Sequence, residues 1–195
     1  GSIDEVIRSI ASVSADLHFV ASKDFAKKVS KFGVDPKKIF NVGMLGFDYI
    51  AKYNFLSQKK IFLKYKLQLN KDLVLLTLHP ETSNNKINYK KAIYNIFSSL
   101  KKIDIQLICT SPNNEVGSNE IQKHLITQIK KNKNYFYYKS LGMTNYHNLL
   151  KYSKFIIGNS SSGIMESPFF KIPSINLGNR QSGRLRHNNI IDSSF

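Results

Sequence analysis

Phe155-Ile156-Ile157-Gly158-Asn159-Ser160-Ser161-Ser162-Gly163-Ile164-Met165-Glu166 is the stretch on which the fold turns. Its three leading apolar residues do not alternate with polar ones, which is how a strand reads when both of its faces are covered. They give way at once to small polar residues and then to an apolar-patterned segment, so the stretch predicts a buried strand turning into a helix. Small side chains let an anion approach the backbone, and free N–H groups at a helix N-terminus attract one. Ser160, Ser161, Ser162 and Gly163 therefore read as a phosphate cradle. Glu166, expected in the first turn of that helix, cannot be attracting phosphate. A carboxylate there suits hydrogen bonds from sugar hydroxyls, as acidic residues serve ribose in other nucleotide sites. On this segment alone, an N-cap cluster with Glu166 as a helix-dipole partner is an equal alternative.

The same rhythm extends to either side. Leu73-Val74-Leu75-Leu76-Thr77-Leu78 is a strong strand ending at His79-Pro80, followed by a helix carrying Tyr89, Ala92, Ile93, Ile96, Phe97 and Leu100 on one face. A strand from Ile105 to Cys109 precedes a helix bearing Ile121, Leu125 and Ile129. Another, Tyr135 to Tyr138, precedes one with Tyr146, Leu149 and Leu150, and Pro173 to Leu177 is the last strand expected. Residues 72–178 are thus predicted to form a doubly wound, Rossmann-like parallel α/β sheet. In such sheets ligands sit at the carboxyl ends of the strands. His79, Ser140 to Gly142, Asn159 to Gly163 and Gly178 to Arg184 all follow strand ends, which places them on one rim and favours the functional reading of the cradle. Upstream, Leu17 to Ala21 is a short strand before a helix with Phe25, Val29 and Phe32 on one face, ended by Gly33. Asn41 to Asp48 is an apolar segment broken by glycines, and the lysine-rich 57–71 region reads as a linker.

With 195 residues, 42% of them hydrophobic, the chain can bury one substantial core. No stretch reaches the length of a membrane-spanning helix and the N-terminus lacks a signal-peptide layout, so a soluble, cytoplasmic protein without a membrane partner is expected. The lone Cys109 lies in an expected buried strand; it excludes an internal disulfide framework and reads as a small core residue, not a nucleophile. The net charge of +16, from 29 Lys and Arg against 13 Asp and Glu, suits anionic ligands in general. Lysines such as Lys90, Lys91, Lys101 and Lys102 are spread over helix faces, so the charge reads as a solvated exterior and no nucleic-acid partner is expected. No metal-ligand cluster, lysine-bearing Gly-rich phosphate loop or dinucleotide fingerprint is present, so no metal, ATPase activity or nicotinamide cofactor is expected. His18 and His124 read as structural.

Four separated stretches carry a resemblance to one family. Gly1-Ser2-Ile3-Asp4-Glu5-Val6-Ile7-Arg8, Thr77-Leu78-His79-Pro80-Glu81-Thr82, Gly158 to Glu166 and Leu177-Gly178-Asn179-Arg180-Gln181-Ser182-Gly183-Arg184 together resemble the UDP-N-acetylglucosamine 2-epimerase family, in its hydrolysing branch, which feeds sialic-acid-type sugar biosynthesis. The last two stretches are quite specific as a pair. The chain departs from the family at Ser9, where relatives usually place His. The resemblance implies a two-domain GT-B-like fold whose Rossmann-like halves face across a cleft. Residues 1–56 would then be the tail of the N-terminal domain with the crossover, 57–71 the linker, and 72–195 a UDP-binding C-terminal domain incomplete at its end. A homodimer or higher homo-oligomer is also implied, and this portion alone would be inactive.

What the family implies chemically is elimination of UDP from a UDP-sugar, giving a 2-acetamidoglucal-type intermediate, then addition of water with inversion at C2. Such a reaction requires a base near the C2 hydrogen, groups holding the diphosphate, and a positioned water. By resemblance Asp4 and Glu5 are the acidic pair near the sugar, one of them the acid/base; from the residues alone they are exposed carboxylates at a helix start. His79 corresponds to a functional histidine of the family and is the remaining catalytic candidate. Ser160 and Ser161 would bind diphosphate, Ser162 and Gly163 would form the turn, Glu166 would take the ribose hydroxyls, and Arg180 would grip phosphate. Arg184 and Arg186 are second choices, Arg186 reading better as a solvated loop charge. The Ser140-Leu141-Gly142 loop is placed to touch uracil. Competing readings are a non-hydrolysing epimerase, a GT-B UDP-sugar glycosyltransferase, and a non-catalytic nucleotide or nucleic-acid binding module.

Overall fold

The computed structural model describes residues 3–81 and 87–195, with side chains from Val6 onward. The chain divides into two compact units, Gly1–Asn54 and Phe55–Phe195.

The first unit is a βαβ step preceded by α1 (Ile3–Ser14). Strand β1 (His18–Val20) pairs in parallel with β2 (Ile39–Asn41), His18 opposite Ile39. Between them α2 (Lys23–Ser30) starts where the Ser22 hydroxyl accepts the Phe25 N–H, a cap of the kind the sequence pattern favours. Rings of Phe19 and Phe40 stack across the pair, centroids 5.5 Å apart. Helix α3 (Leu45–Lys52) follows.

The second unit is a six-stranded sheet in the order β5-β4-β3-β6-β7-β8, all parallel. Its centre is β3 (Asp72–Thr77), flanked by β4 (Ile105–Thr110) and β6 (Ser153–Gly158). Strands β5 (Tyr135–Tyr138) and β7 (Ser174–Leu177) lie outside these, and β8 (Ile190–Ser193) forms an edge. The unbroken apolar run of β3 follows from burial on both sides. Val74 and Leu76 pack with Ile93 and Phe97 of α5 (Tyr89–Leu100) and Ile121 and Leu125 of α6 (Ser118–Ile129). Leu73 and Leu75 face the opposite layer, with Ile61 and Phe62 of α4 (Gln58–Lys64) and Leu149 and Leu150 of α7 (Gly142–Lys151). Alternate residues of one strand thus serve two cores, the arrangement of a doubly wound sheet. Each of these fully covered side chains contributes roughly 2 kcal/mol by leaving water.

Three expectations are corrected. The lysine-rich 57–71 stretch is not a linker within this unit: α4 buries Ile61 and Phe62, and Tyr65 and Leu67 complete the same core. The turn after α4 is fastened by the buried Gln106 side chain, which accepts the Gln68 N–H and donates to the Gln68 and Lys71 carbonyls at 2.8 Å each. The helix expected after Gly158 is only the four residues of α8 (Ser162–Met165), because Pro168 follows closely and cannot continue it. Finally, β8 adds a strand beyond the last one predicted. Cys109 is fully buried in β4, and burial pushes its thiol well up, in keeping with a core residue. Among the described residues no helix is long and apolar enough to cross a membrane.

Candidate functional site

The site is built where β3 and β6 end side by side, Thr77 opposite Gly158. Gly158 has φ +136°, and a Cβ there would fall 1.9 Å from the Thr77 carbonyl oxygen, so only glycine lets β6 leave the sheet at this point. The next residue, Asn159, is fully buried and joins three loops. Its Oδ1 accepts the His79 N–H at 2.7 Å and its Nδ2 donates to the His79 carbonyl at 2.8 Å, continuing the β3–β6 ladder with a side-chain amide. Its own carbonyl accepts Gln181 Nε2 at 2.9 Å and Arg180 Nη1 at 3.5 Å. The rims after β3, β6 and β7 therefore share one fixed reference.

With its backbone held this way, His79 has its ring set by a second contact. Nδ1 accepts the Asn113 N–H at 3.0 Å, which puts the ring proton on Nε2. Burial, reinforced by the Arg180 cation, lowers the pKa to about 4, so the ring is neutral near pH 7 and Nε2–H is a donor. Arg180 does not reach out freely. Its Nη2 pairs with Glu115 at 3.0 Å, and Glu115 also accepts the Asn113 amide. The backbone beneath Arg180 is pinned by the buried Glu81, whose Oε1 accepts the N–H groups of Asn179 and Arg180 at 2.7 and 3.1 Å.

The serine run divides its duties. The N–H groups of Ser160 and Ser161 make no hydrogen bond among the described residues, whereas those of Gly163, Ile164 and Met165 close the turn onto the Ser160 and Ser161 carbonyls. The Ser162 hydroxyl is buried and occupied: it accepts from Tyr146 Oη at 2.8 Å and donates to Glu166 Oε2 at 2.8 Å. It braces Glu166 and is not an open anion ligand. Gly163 is required by proximity, since a Cβ would lie 2.7 Å from Ser174 Oγ and 3.4 Å from Ile156 Cδ1. Glu166 follows α8 and receives a second bond on the same oxygen, from His147 Nε2 at 3.1 Å. Burial alone would raise its pKa; the His147 and Ser162 hydrogen bonds and the His147 charge outweigh it and hold the carboxyl below its ordinary range.

His79, Ser160, Ser161, Ser162, Glu166 and the Ser140 to Gly142 loop line one cavity of about 400 Å³ at the carboxyl ends of the strands. Of the rim expected from sequence, His79, the Ser140 to Gly142 loop and Ser160 to Ser162 meet at this cavity, whereas Asn159, Gly163 and the Gly178 to Arg184 segment lie off its lining; within the loop, Gly142 N–H donates to Ser140 Oγ at 3.2 Å. Arg180 lies off the lining of this cavity, held to Glu115. Arg186 is not a solvated charge: it bonds Asp192 at 3.0 Å and the Gln181 carbonyl at 2.9 Å, bracing its loop. Arg184 Nη1 contacts Met165 Sδ at 2.9 Å. His18 is buried in β1, and His124 faces Glu120 at 3.7 Å on α6. Asp4 and Glu5 fall in α1, and their side chains lie outside the described residues, as does Thr82 of the quoted motif. Sequence reasoning missed His147, Tyr146, Asn113, Glu115 and the supporting role of Glu81; none lies in the motif stretches except Glu81.

Known proteins resemble the chain along its whole length. The family described as UDP-N-acetylglucosamine 2-epimerase matches residues 1–194. A Campylobacter jejuni protein named GDP/UDP-N,N'-diacetylbacillosamine 2-epimerase (hydrolyzing) is 41% identical over 100% of this chain and 51% of its own length. The UDP-N,N'-diacetylbacillosamine 2-epimerase (hydrolyzing) of Legionella pneumophila is 30% identical over 98% of the chain and 50% of its own. Among solved structures, the S. aureus MnaA–UDP co-structure superposes with a TM-score of 0.70 at 22% identity, covering 90% of this chain and 46% of that one. The chain spans about half the length of the curated relatives it matches.

Proposed function

The chain belongs to the UDP-N-acetylglucosamine 2-epimerase family, and from that premise we propose that it is the nucleotide-holding part of a hydrolysing UDP-sugar 2-epimerase. The observation that carries the reading is the single cavity shared by His79, the Ser160–Ser161 backbone and the ionised Glu166. Each group suits a different part of a nucleoside diphosphate. Glu166 Oε1, which has no hydrogen bond among the described residues, accepts from the ribose diol. The N–H groups of Ser160 and Ser161, with their hydroxyls, receive the diphosphate, and the Ser140 to Gly142 loop meets the base. Arg180 contributes positive charge to the same rim while paired to Glu115, without touching the phosphates itself.

In the reaction the C2 proton passes to a base, the C1–O bond to the diphosphate breaks, and the electron pair leaves on UDP. Water then adds across the resulting C1=C2 bond, hydroxyl to C1 and proton to the opposite face of C2, giving free epimerised sugar and UDP. The part assigned to His79 follows from its fixed tautomer. As a neutral ring it offers Nε2–H to the phosphate oxygens as negative charge builds there, acting as a preorganised donor. One of Asp4 and Glu5 would move the C2 proton.

The test is to supply the intact protein with UDP-N-acetylglucosamine and with UDP-N,N'-diacetylbacillosamine in H₂¹⁸O. Equal amounts of UDP and free 2-epimeric sugar, with ¹⁸O at C1, are expected; a UDP-linked epimer would overturn the hydrolysing assignment. Calorimetric titration with UDP, and with GDP beside it, checks the cradle itself. Glu166→Ala is expected to weaken the preferred nucleotide about 10- to 100-fold, the worth of a charge-assisted hydrogen bond.

A further inference from the structure

Glu166 has two oxygens and unequal surroundings. Among the described residues Oε2 takes both of the carboxylate's hydrogen bonds, one from His147 Nε2 and one from Ser162 Oγ. The Ser162 hydroxyl is itself aimed by Tyr146, whose phenol burial keeps protonated and therefore donating. An ionised carboxylate can only accept, so His147 must carry its proton on Nε2. His147 cannot swing away: it is 5% exposed, and its ring lies 6.1 Å from the ring centres of both Tyr146 and Phe170. Two donors from two elements, α7 and α8, thus clamp one carboxylate oxygen of a residue that lines the cavity, and leave the other without a hydrogen bond among the described residues.

We propose that His147 is a positioning residue for nucleotide recognition, holding the Glu166 carboxylate so that Oε1 faces the two ribose hydroxyls. The proposal rests on the reading of Glu166 as the ribose acceptor. His147 does not act on the nucleotide itself, because Nε2 is spent on Glu166. Its removal frees the carboxylate to rotate and leaves Ser162 as the sole brace. The loss is felt only by ligands that carry the diol. A merely structural histidine would, when changed, weaken all nucleotides alike.

The experiment is a titration of the intact protein with UDP and with 2',3'-dideoxy-UDP, for the natural chain and for His147→Gln, His147→Asn and His147→Phe. Gln places an amide N–H near the position of the imidazole Nε2; Asn is too short to reach Glu166, and Phe keeps the ring without the donor. The natural protein is expected to prefer UDP by about tenfold or more, the value of the diol contacts. Asn and Phe should shrink that preference to about twofold with dideoxy-UDP affinity unchanged, and Gln should restore most of it. Unaltered preference in the Asn variant, or equal loss of both ligands in Asn and Phe, overturns the role of His147. If the natural protein itself fails to distinguish the two nucleotides, the ribose reading of Glu166 falls, and the proposal with it.

Discussion

His79 shows how one residue can couple stability to chemistry. A free histidine with pKa 6.5 takes up a proton that the folded chain, with a value of about 4, refuses. Between those values the unfolded state binds more protons than the native one, so stability is full above pH 6.5 and falls as pH drops toward 4. The difference reaches about 3 kcal/mol by the low end of that window. His79→Asn removes the titration, and urea denaturation at neutral pH and near pH 4 should show the variant losing less stability on acidification than the natural chain. His79 is legible in the sequence because it follows a strand end, and Glu166 because it trails the run of small residues after another. His147 is invisible there because it lies inside a helix, and its partner is separated by nineteen positions. The Glu115–Arg180 pair spans sixty-five positions, and nothing in either neighbourhood marks the other.

At the scale of elements, β3 and β4 are legible because short apolar runs bounded by polar residues, unbroken in β3 and interrupted only by Gln106 in β4, suit strands covered on both faces better than helices. Helix α4 is masked by its lysines, although Ile61, Phe62 and Tyr65 already hold helical spacing and end up buried. The edge strand β8 has only Ile190 and Ile191 as apolar residues, and Ile191 is 60% exposed, too little pattern to announce a strand. The end of β6 makes the sharpest prediction here. Gly158→Ala would drive a methyl into the Thr77 carbonyl at a backbone angle that L-residues rarely adopt. A loss of at least about 2 kcal/mol is expected in chemical denaturation. Nucleotide affinity should drop as well, because Asn159 is displaced with it.

Across the whole molecule, every residue lining the candidate cavity belongs to Phe55–Phe195. That unit has its own two-sided core, so a chain of residues 55–195 should unfold cooperatively and keep nucleotide affinity within a few-fold of the 195-residue chain. Calorimetry and a melting curve check this, and a molten 55–195 would show that Gly1–Asn54 is needed for the core. The +16 charge is a loose guide to the site, where Lys139 stands among hydroxyls, a carboxylate and a neutral ring in the cavity lining. The Asn159 clamp on His79 joins residues eighty positions apart, and that separation has a meaning in time. Closing so long a loop is entropically slow and cannot precede formation of the central parallel pair. As the chain emerges during synthesis, the histidine must wait for its asparagine, and collapse or helix formation will not reveal whether the two have met. Competence to hold a ligand therefore follows the pairing of β3 with β6, and the appearance of binding during refolding is expected to mark that pairing.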